Sequence, residues 1–69
     1  MTILGKRLKE LRESKGLSLM EFGKQFGIDA RTIRRWESGQ VDIGADKIIR
    51  LALLFDVSID YLLGLTDII

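Results

Sequence analysis

Apolar residues in this chain recur three and four positions apart, in short stretches bounded by residues that start or stop helices. The first stretch follows Thr2. It carries Leu4, Leu8 and Leu11 on one face, with charged side chains on the other. The chain has no proline, and no stretch alternates polar and apolar residues. This pattern predicts an all-α protein with five short helices.

A short break that contains a glycine separates the second and third predicted helices. Ser18 and Glu21 have the spacing of a capping box, which predicts the start of the second helix. Gly27 predicts its end in a left-handed conformation. Asp29 can then cap a third helix that ends at Gly39. Two helices joined by such a turn form a helix-turn-helix.

Two more helices are predicted in the last third of the chain. The fourth covers residues 45–55 after Gly44, and large aliphatic residues extend almost all round it. Such a helix is either central in the core or shared with a partner. The fifth covers residues 59–63, between Ser58 as N-cap and Gly64 as the helix stop.

The third predicted helix has an inner apolar face and an outer basic face. Ile33 and Trp36 lie on the inner face, so we expect Trp36 in the core. The outer face carries Arg31, Arg34 and Arg35. The planar guanidinium of arginine can donate two hydrogen bonds to guanine, and this favours a DNA-contacting surface. The alternative interpretation is that the three arginines only keep an exposed helix face solvated.

Composition excludes several classes of function. With 69 residues the chain can form one domain with a small core. It has no cysteine and no histidine, which removes disulfides, thiolate catalysis, histidine bases and the common zinc sites. We therefore predict no enzyme, no metal, no cofactor and no small-molecule ligand. The longest uninterrupted apolar run, Leu51 to Phe55, is too short for a membrane span, so a cytoplasmic protein is expected.

The charges are unevenly distributed along the chain, although the formal net charge is only +1. Residues 1–18 carry five basic and two acidic side chains, whereas residues 45–69 carry two basic and four acidic ones. We therefore expect the carboxy-terminal part to face away from any polyanion.

The glycines, capping residues and apolar positions agree in register with a known family. The matching motifs are Leu17-Ser18, Gly23, Gly27, Ile33, Trp36-Glu37-Ser38-Gly39 and the run from Phe55 to Gly64. From about Leu4 to Gly64 the chain resembles the Cro and lambda-repressor-like helix-turn-helix family of bacteria and phages, also called the XRE family. The resemblance implies a compact five-helix bundle that dimerises and places its third helix in the major groove of DNA. The small residue at Gly23 would let the second and third helices cross closely.

The resemblance also implies which residues contact DNA. The base-contacting positions correspond here to Ala30, Arg31, Arg34 and Arg35, and Arg31 is the first choice for a base. Phosphate contacts are expected from Ser18, Leu19, Arg12 and Gln40. Members of the family usually have an ion pair between the first and third helices, which corresponds here to Arg12 and Glu37.

Two features depart from the family pattern. Leu19 stands where the family often has a glutamine that binds phosphate, and the loop after the third helix is not basic. Both predict modest non-specific affinity for DNA. They also leave a possible apolar patch, formed by Leu19, Met20, Val41 and Ile43. Because such patches can mark protein contacts, the alternative function is a protein-interaction module of the antitoxin or antirepressor kind on the same fold.

The predicted function is sequence-specific binding of double-stranded DNA by a transcriptional regulator, of the repressor type. Residues 1–69 would form a single domain, either complete or the amino-terminal part of a longer regulator, in the bacterial cytoplasm or a phage host. We expect a homodimer on an inverted-repeat operator, because two-fold dimers are usual for such motifs. The predicted interface consists of apolar residues of the fifth helix and the tail: Ile59, Tyr61, Leu65, Ile68 and Ile69.

Overall fold

The computed structural model describes residues 2–69, and within them it contains five helices and no strand. The helices are α1 (Ile3–Ser14), α2 (Leu19–Phe26), α3 (Ala30–Ser38), α4 (Ala45–Phe55) and α5 (Ile59–Leu63). The predicted all-α, five-helix architecture is confirmed, with α2 and α3 as the helix-turn-helix. Of the helices in this part of the chain, none is both long and apolar enough to cross a membrane.

Short polar side chains begin most of the helices. The side-chain oxygens of Thr2, Ser18, Asp29 and Ser58 each accept a hydrogen bond from a backbone N–H in the first turn that follows. Gly44 precedes α4 without any such bond. Asp56 ends α4 with a left-handed φ of +54°, a conformation that Asp tolerates better than most residues.

A set of stacked aromatic rings forms the centre of the core. Phe22 is fully buried, and its ring stacks on Phe26 at 5.6 Å and on Phe55 at 5.5 Å. The ring of Phe26 also meets Trp36 edge-on at 6.0 Å. The expected core position of Trp36 is therefore confirmed, and the rings join α2, α3 and α4 in one cluster.

Two helical glycines allow the backbones of neighbouring elements to approach closely. A Cβ atom at Gly23 would lie 2.5 Å from the carbonyl oxygen of Ile28, so a small residue is needed as predicted, but the close neighbour is the turn and not α3 itself. A Cβ atom at Gly5 would lie 2.5 Å from the carbonyl oxygen of Trp36. No local pattern predicts this second contact, which sets the distance between α1 and α3.

Of the two alternatives predicted for α4, a central position is wrong, whereas contact with a partner stays a prediction. Leu51, Ala52 and Phe55 are buried, but Ile49 and Leu53 are exposed, Leu53 at 77%. Neighbouring elements cover only the inner face of this helix, so α4 lies at the surface. The outer face remains an apolar surface without a partner inside residues 2–69.

The predicted apolar patch of four residues is not formed. Ile43 packs in the core, and Leu19 is half-buried against it. Only Met20 and Val41 are exposed. The loop after α3 thus turns one of its two aliphatic side chains inward, which the absence of a periodic pattern in the sequence did not reveal.

Two arginines join distant parts of the chain. Arg7 of α1 donates hydrogen bonds to the carbonyl oxygens of Tyr61 and Thr66 and pairs with the carboxylate of Asp67 at 2.7 Å. Its guanidinium lies 4.2 Å from the centre of the Tyr61 ring. Arg50 of α4 donates to the carbonyl oxygen of Phe26 at 2.7 Å and lies over the ring of that residue. The first contact holds the tail against α1, and the second satisfies a carbonyl at the end of α2.

We expect Gly5→Ala to lower the free energy of unfolding by about 1–2 kcal/mol, because the added methyl group meets backbone atoms that cannot rotate away. The gain of about 1 kcal/mol in helix propensity offsets only part of this cost. Urea unfolding followed by Trp36 fluorescence measures the difference. Gly44→Ser is the control, since serine is a favourable N-cap for α4 and its Cβ would meet only the flexible side chain of Asp46. Equal stability of both variants would contradict the close contact of α1 with α3.

Candidate nucleic-acid interface

The outer face of α3 presents three arginines to solvent. Arg31, Arg34 and Arg35 are exposed, whereas Ile33 and Trp36 on the opposite face are buried. Within residues 2–69, none of the three guanidinium groups takes part in an ion pair or an internal hydrogen bond. Their donors are therefore available for an external acceptor.

The predicted contact residues around this face lie at its edges. Ala30 is half-buried at the start of α3, and Gln40 is exposed just beyond its end. The three arginines, Ser38 and Gln40 line a shallow depression of about 340 Å³. The structure therefore brings Gln40 and the arginines together on one surface.

The turn between α2 and α3 fixes the direction of this face. Gly27 has a φ of +78°, and its N–H donates to the carbonyl oxygen of Gly23 at 2.8 Å. The N–H of Ile28 donates to the same oxygen at 2.9 Å. The Asp29 carboxylate then caps α3 by accepting from the N–H of Arg31 at 2.7 Å. These bonds leave the turn little freedom to change the angle between the helices.

A buried ion pair joins α1 to α3. Arg12 Nε donates to Glu37 Oε2 at 2.7 Å and Arg12 Nη2 to Glu37 Oε1 at 3.1 Å. Arg12 Nη1 donates to the carbonyl oxygen of Leu17 at 2.7 Å. The two side chains are only 10% and 7% exposed. The hydrogen bond to Glu37 raises the pKa of Arg12, against the opposing effect of burial. Arg12 thus holds together α1, the connection before α2 and the last turn of α3.

The amino-terminal end of α2 lies beside this ion pair. Ser18 Oγ accepts from the N–H of Glu21 at 3.1 Å, and Glu21 Oε1 accepts from the N–H of Ser18 at 2.9 Å. The bond to the Ser18 backbone lowers the pKa of Glu21. No hydrogen bond within residues 2–69 uses the N–H of Leu19 or Met20. These two donors therefore point out of a helix end that carries partial positive charge.

Lys9 is a residue of this surface that the sequence interpretation did not select. It lines a depression between α1 and α3 together with Arg12 and Arg34. Lys9 and Arg12 are three positions apart on α1 and therefore neighbours on the helix surface. This spacing was the only available signal, because the crossing of α1 with α3 is what brings Arg34 to them.

The predicted dimer residues differ in their exposure. Ile59, Leu65, Ile68 and Ile69 are exposed, Ile68 at 80%. Tyr61 is half-buried and partly covered by Arg7. Four of the five side chains are thus open to a partner, and the fifth is engaged in part by its own chain.

The part of the chain that the structure describes contains no group of three or more acidic, histidine or cysteine residues that could hold a metal ion. The four concave surfaces described have volumes of about 210–390 Å³ and are shallow.

A family model described as helix-turn-helix matches residues 8–62, which include the turn, the arginine face and the Arg12–Glu37 pair. The chain belongs to this helix-turn-helix family, of the Cro and lambda-repressor type. Members of the family are DNA-binding transcriptional regulators and not enzymes.

Individual proteins of the helix-turn-helix family are similar over most of this chain. YobD of Bacillus subtilis, named as an uncharacterized HTH-type transcriptional regulator, is 38% identical over 61 residues, which cover 88% of this chain and 54% of that protein. The chain spans about half the length of YobD and of another Bacillus subtilis relative, the HTH-type transcriptional regulator ImmR.

Two solved structures have the same fold. The restriction-modification controller protein C.AhdI from Aeromonas hydrophila is 33% identical with a TM-score of 0.76, over 88% of this chain and 92% of that one. The P22 c2 repressor, solved in complex with a synthetic operator, has a TM-score of 0.79 over 91% of this chain and 96% of that one. At 24% identity the second similarity shows the helix-turn-helix fold alone.

We expect Arg12→Ala and Glu37→Ala each to lower the free energy of unfolding by about 3 kcal/mol, because each leaves an uncompensated charge in a buried place. The double variant should lose less than the sum of the two single losses, because it strands neither charge. Urea unfolding of the four proteins gives this coupling energy directly.

The matched control is Lys47→Ala, which removes a pair with Asp46 at 3.2 Å on the surface. This variant should unfold at nearly the same urea concentration as the parent chain. Strictly additive losses for Arg12→Ala and Glu37→Ala would mean that the two side chains do not depend on each other.

Proposed function

We propose that this chain binds double-stranded DNA sequence-specifically, with α3 in the major groove, as a transcriptional regulator of the repressor type. The observation that carries the proposal is the exposed face of Arg31, Arg34 and Arg35, whose donors have no acceptor within residues 2–69. The turn and the Arg12–Glu37 pair hold this face away from the core. Leaving three cations together on one face is unfavourable without a polyanion, and it suits the negative potential of a DNA groove.

The proposed contacts divide into two groups. Base edges are contacted from α3, by residues among Ala30, Arg31, Arg34 and Arg35. The DNA backbone is contacted by Ser18 and Leu19 at the start of α2, by Gln40 after α3, and by Arg12. Arg12 uses Nε and one hydrogen on each terminal nitrogen for Glu37 and Leu17, so one further donor remains on each terminal nitrogen.

The similar proteins agree with this function. YobD is named as a transcriptional regulator, and C.AhdI as a restriction-modification controller. Residues 1–69 act in this proposal as a single DNA-binding domain. The protein-interaction alternative has lost its main support, because Ile43 is in the core and the apolar patch is not formed.

We further propose that two copies bind an inverted-repeat operator. Two-fold dimers place their α3 helices about 34 Å apart, one turn of DNA. The chain measures 28 × 23 × 20 Å, so a single copy covers about one half-site. The proposed contact between copies is the apolar surface of α5 and the tail, where Ile59, Leu65, Ile68 and Ile69 are exposed.

Selection of bound duplexes from a random pool should recover an inverted repeat, and affinity for that duplex should fall steeply as salt rises. Each phosphate contact contributes about −0.9 to the slope of log affinity against log salt concentration, so several contacts give a loss of orders of magnitude between low and physiological salt. Fluorescence anisotropy with the recovered duplex measures the slope. A flat salt response, or no recovered sequence, would favour the protein-partner function instead.

Leu65→Glu and Ile68→Asp should shift the chain from dimer to monomer in sedimentation velocity, because each places a charge in the proposed apolar contact. Met20→Glu is the control, since Met20 is an exposed apolar residue outside that surface. Leu53→Glu tests the outer face of α4 in the same experiment. Loss of the dimer only in Leu53→Glu would move the interface to α4, and a monomeric parent chain at all concentrations would contradict the homodimer.

A further inference from the structure

A positively charged depression lies between α1 and α3, at the edge of the proposed DNA surface. It has a volume of about 330 Å³ and is lined by Lys9, Arg12, Leu19, Arg34, Glu37 and Ser38. Three helices contribute to it, because Lys9 and Arg12 belong to α1, Leu19 begins α2, and the others belong to α3. α1 packs closely against α3 at Gly5, one helical turn before Lys9.

The charges of this depression do not cancel. Arg12 and Glu37 neutralise each other in their buried pair. Lys9 and Arg34 are exposed, and neither takes part in an ion pair within residues 2–69. Two unpaired cations around one depression repel each other, and an anion bound between them would remove that repulsion.

Helix geometry separates Arg34 from the other two arginines of α3. Successive residues are rotated by about 100° around the helix axis. The order of side chains across α3 is therefore Glu37, Arg34, Arg31 and Arg35, starting from the side that faces α1. Arg34 is the arginine next to the ion pair, and it lines both this depression and the one on the outer face of α3.

We propose that this depression binds a phosphate of the DNA backbone between Lys9 and Arg34, which leaves Arg31 and Arg35 as the base-contacting arginines. This inference rests on the proposed DNA-binding function and assigns a role within it. Phosphate contacts fix the register of a protein on the duplex but carry no direct sequence information. Arg34 and Lys9 would therefore set where α3 enters the groove, and Arg31 and Arg35 would set which sequence it prefers.

The experiment compares Arg34→Gln, Lys9→Gln and Arg31→Gln on two probes. The first probe is the duplex recovered by selection, and the second has the same composition in scrambled order. Arg34→Gln and Lys9→Gln should each weaken binding to both duplexes by the same factor and reduce the salt slope by about 0.9. Arg31→Gln should instead reduce the preference for the selected duplex by about 5- to 150-fold.

Lys6→Gln is the matched control for Lys9→Gln. Both lysines are exposed on α1, but Lys6 lines a separate depression with Tyr61 and Asp67. It should change neither affinity nor slope by a comparable amount. Urea unfolding followed by Trp36 fluorescence checks that all four variants remain folded.

Replacing single phosphates of the selected duplex by neutral methylphosphonates locates the contact. At one phosphate per half-site, neutralisation should weaken the parent chain but have little further effect on Arg34→Gln or Lys9→Gln. If Arg34→Gln instead changes the preferred base and couples to no phosphate, Arg34 contacts a base and the inference is wrong, while DNA binding stands. If the parent chain binds neither duplex, the proposed function fails together with the inference.

Discussion

The close packing of α1 against α3 determines most of the geometry of this molecule. Gly5 lets the α1 backbone approach the carbonyl oxygens of Trp36 and Glu37 to a distance that no side chain would allow. At that distance Arg12 donates two hydrogen bonds to Glu37. It donates a third to the carbonyl oxygen of Leu17, in the connection before α2. One contact thus fixes α3 and the start of α2 relative to each other, and both of these elements present donors to solvent.

Helix boundaries were predictable because each depends on a few adjacent residues. Ser18 with Glu21, Asp29, Ser58 and the glycine stops act within one turn of the chain, so their spacing alone locates the helices. The inner and outer faces of α3 were predictable for the same reason, since a repeat of 3.6 residues places Ile33 and Trp36 opposite the arginines. The Arg12–Glu37 pairing was expected from the family resemblance and not from the residues themselves.

Contacts between distant segments were not predictable from local patterns. The residues around Gly5 do not indicate that α3 packs on it. Those around Arg7 do not indicate that the tail covers its side chain. Ile43 lies in a loop without a periodic apolar pattern, so its burial in the core was not predicted. For α4 the pattern predicted too much burial. A helix that is apolar almost all round does not reveal which side faces its own core. The proposed division of roles among the three arginines likewise depends on which flank of α3 faces α1.

The contact of Arg50 with Phe26 links α4 to the end of α2, directly before the turn of the helix-turn-helix. Arg50 belongs to α4, whose outer face is apolar and uncovered within residues 2–69, and its guanidinium satisfies the last carbonyl of α2, just before the turn. Any movement of α4 that carries Arg50 with it must therefore strain or break this hydrogen bond at the end of α2, directly before the turn.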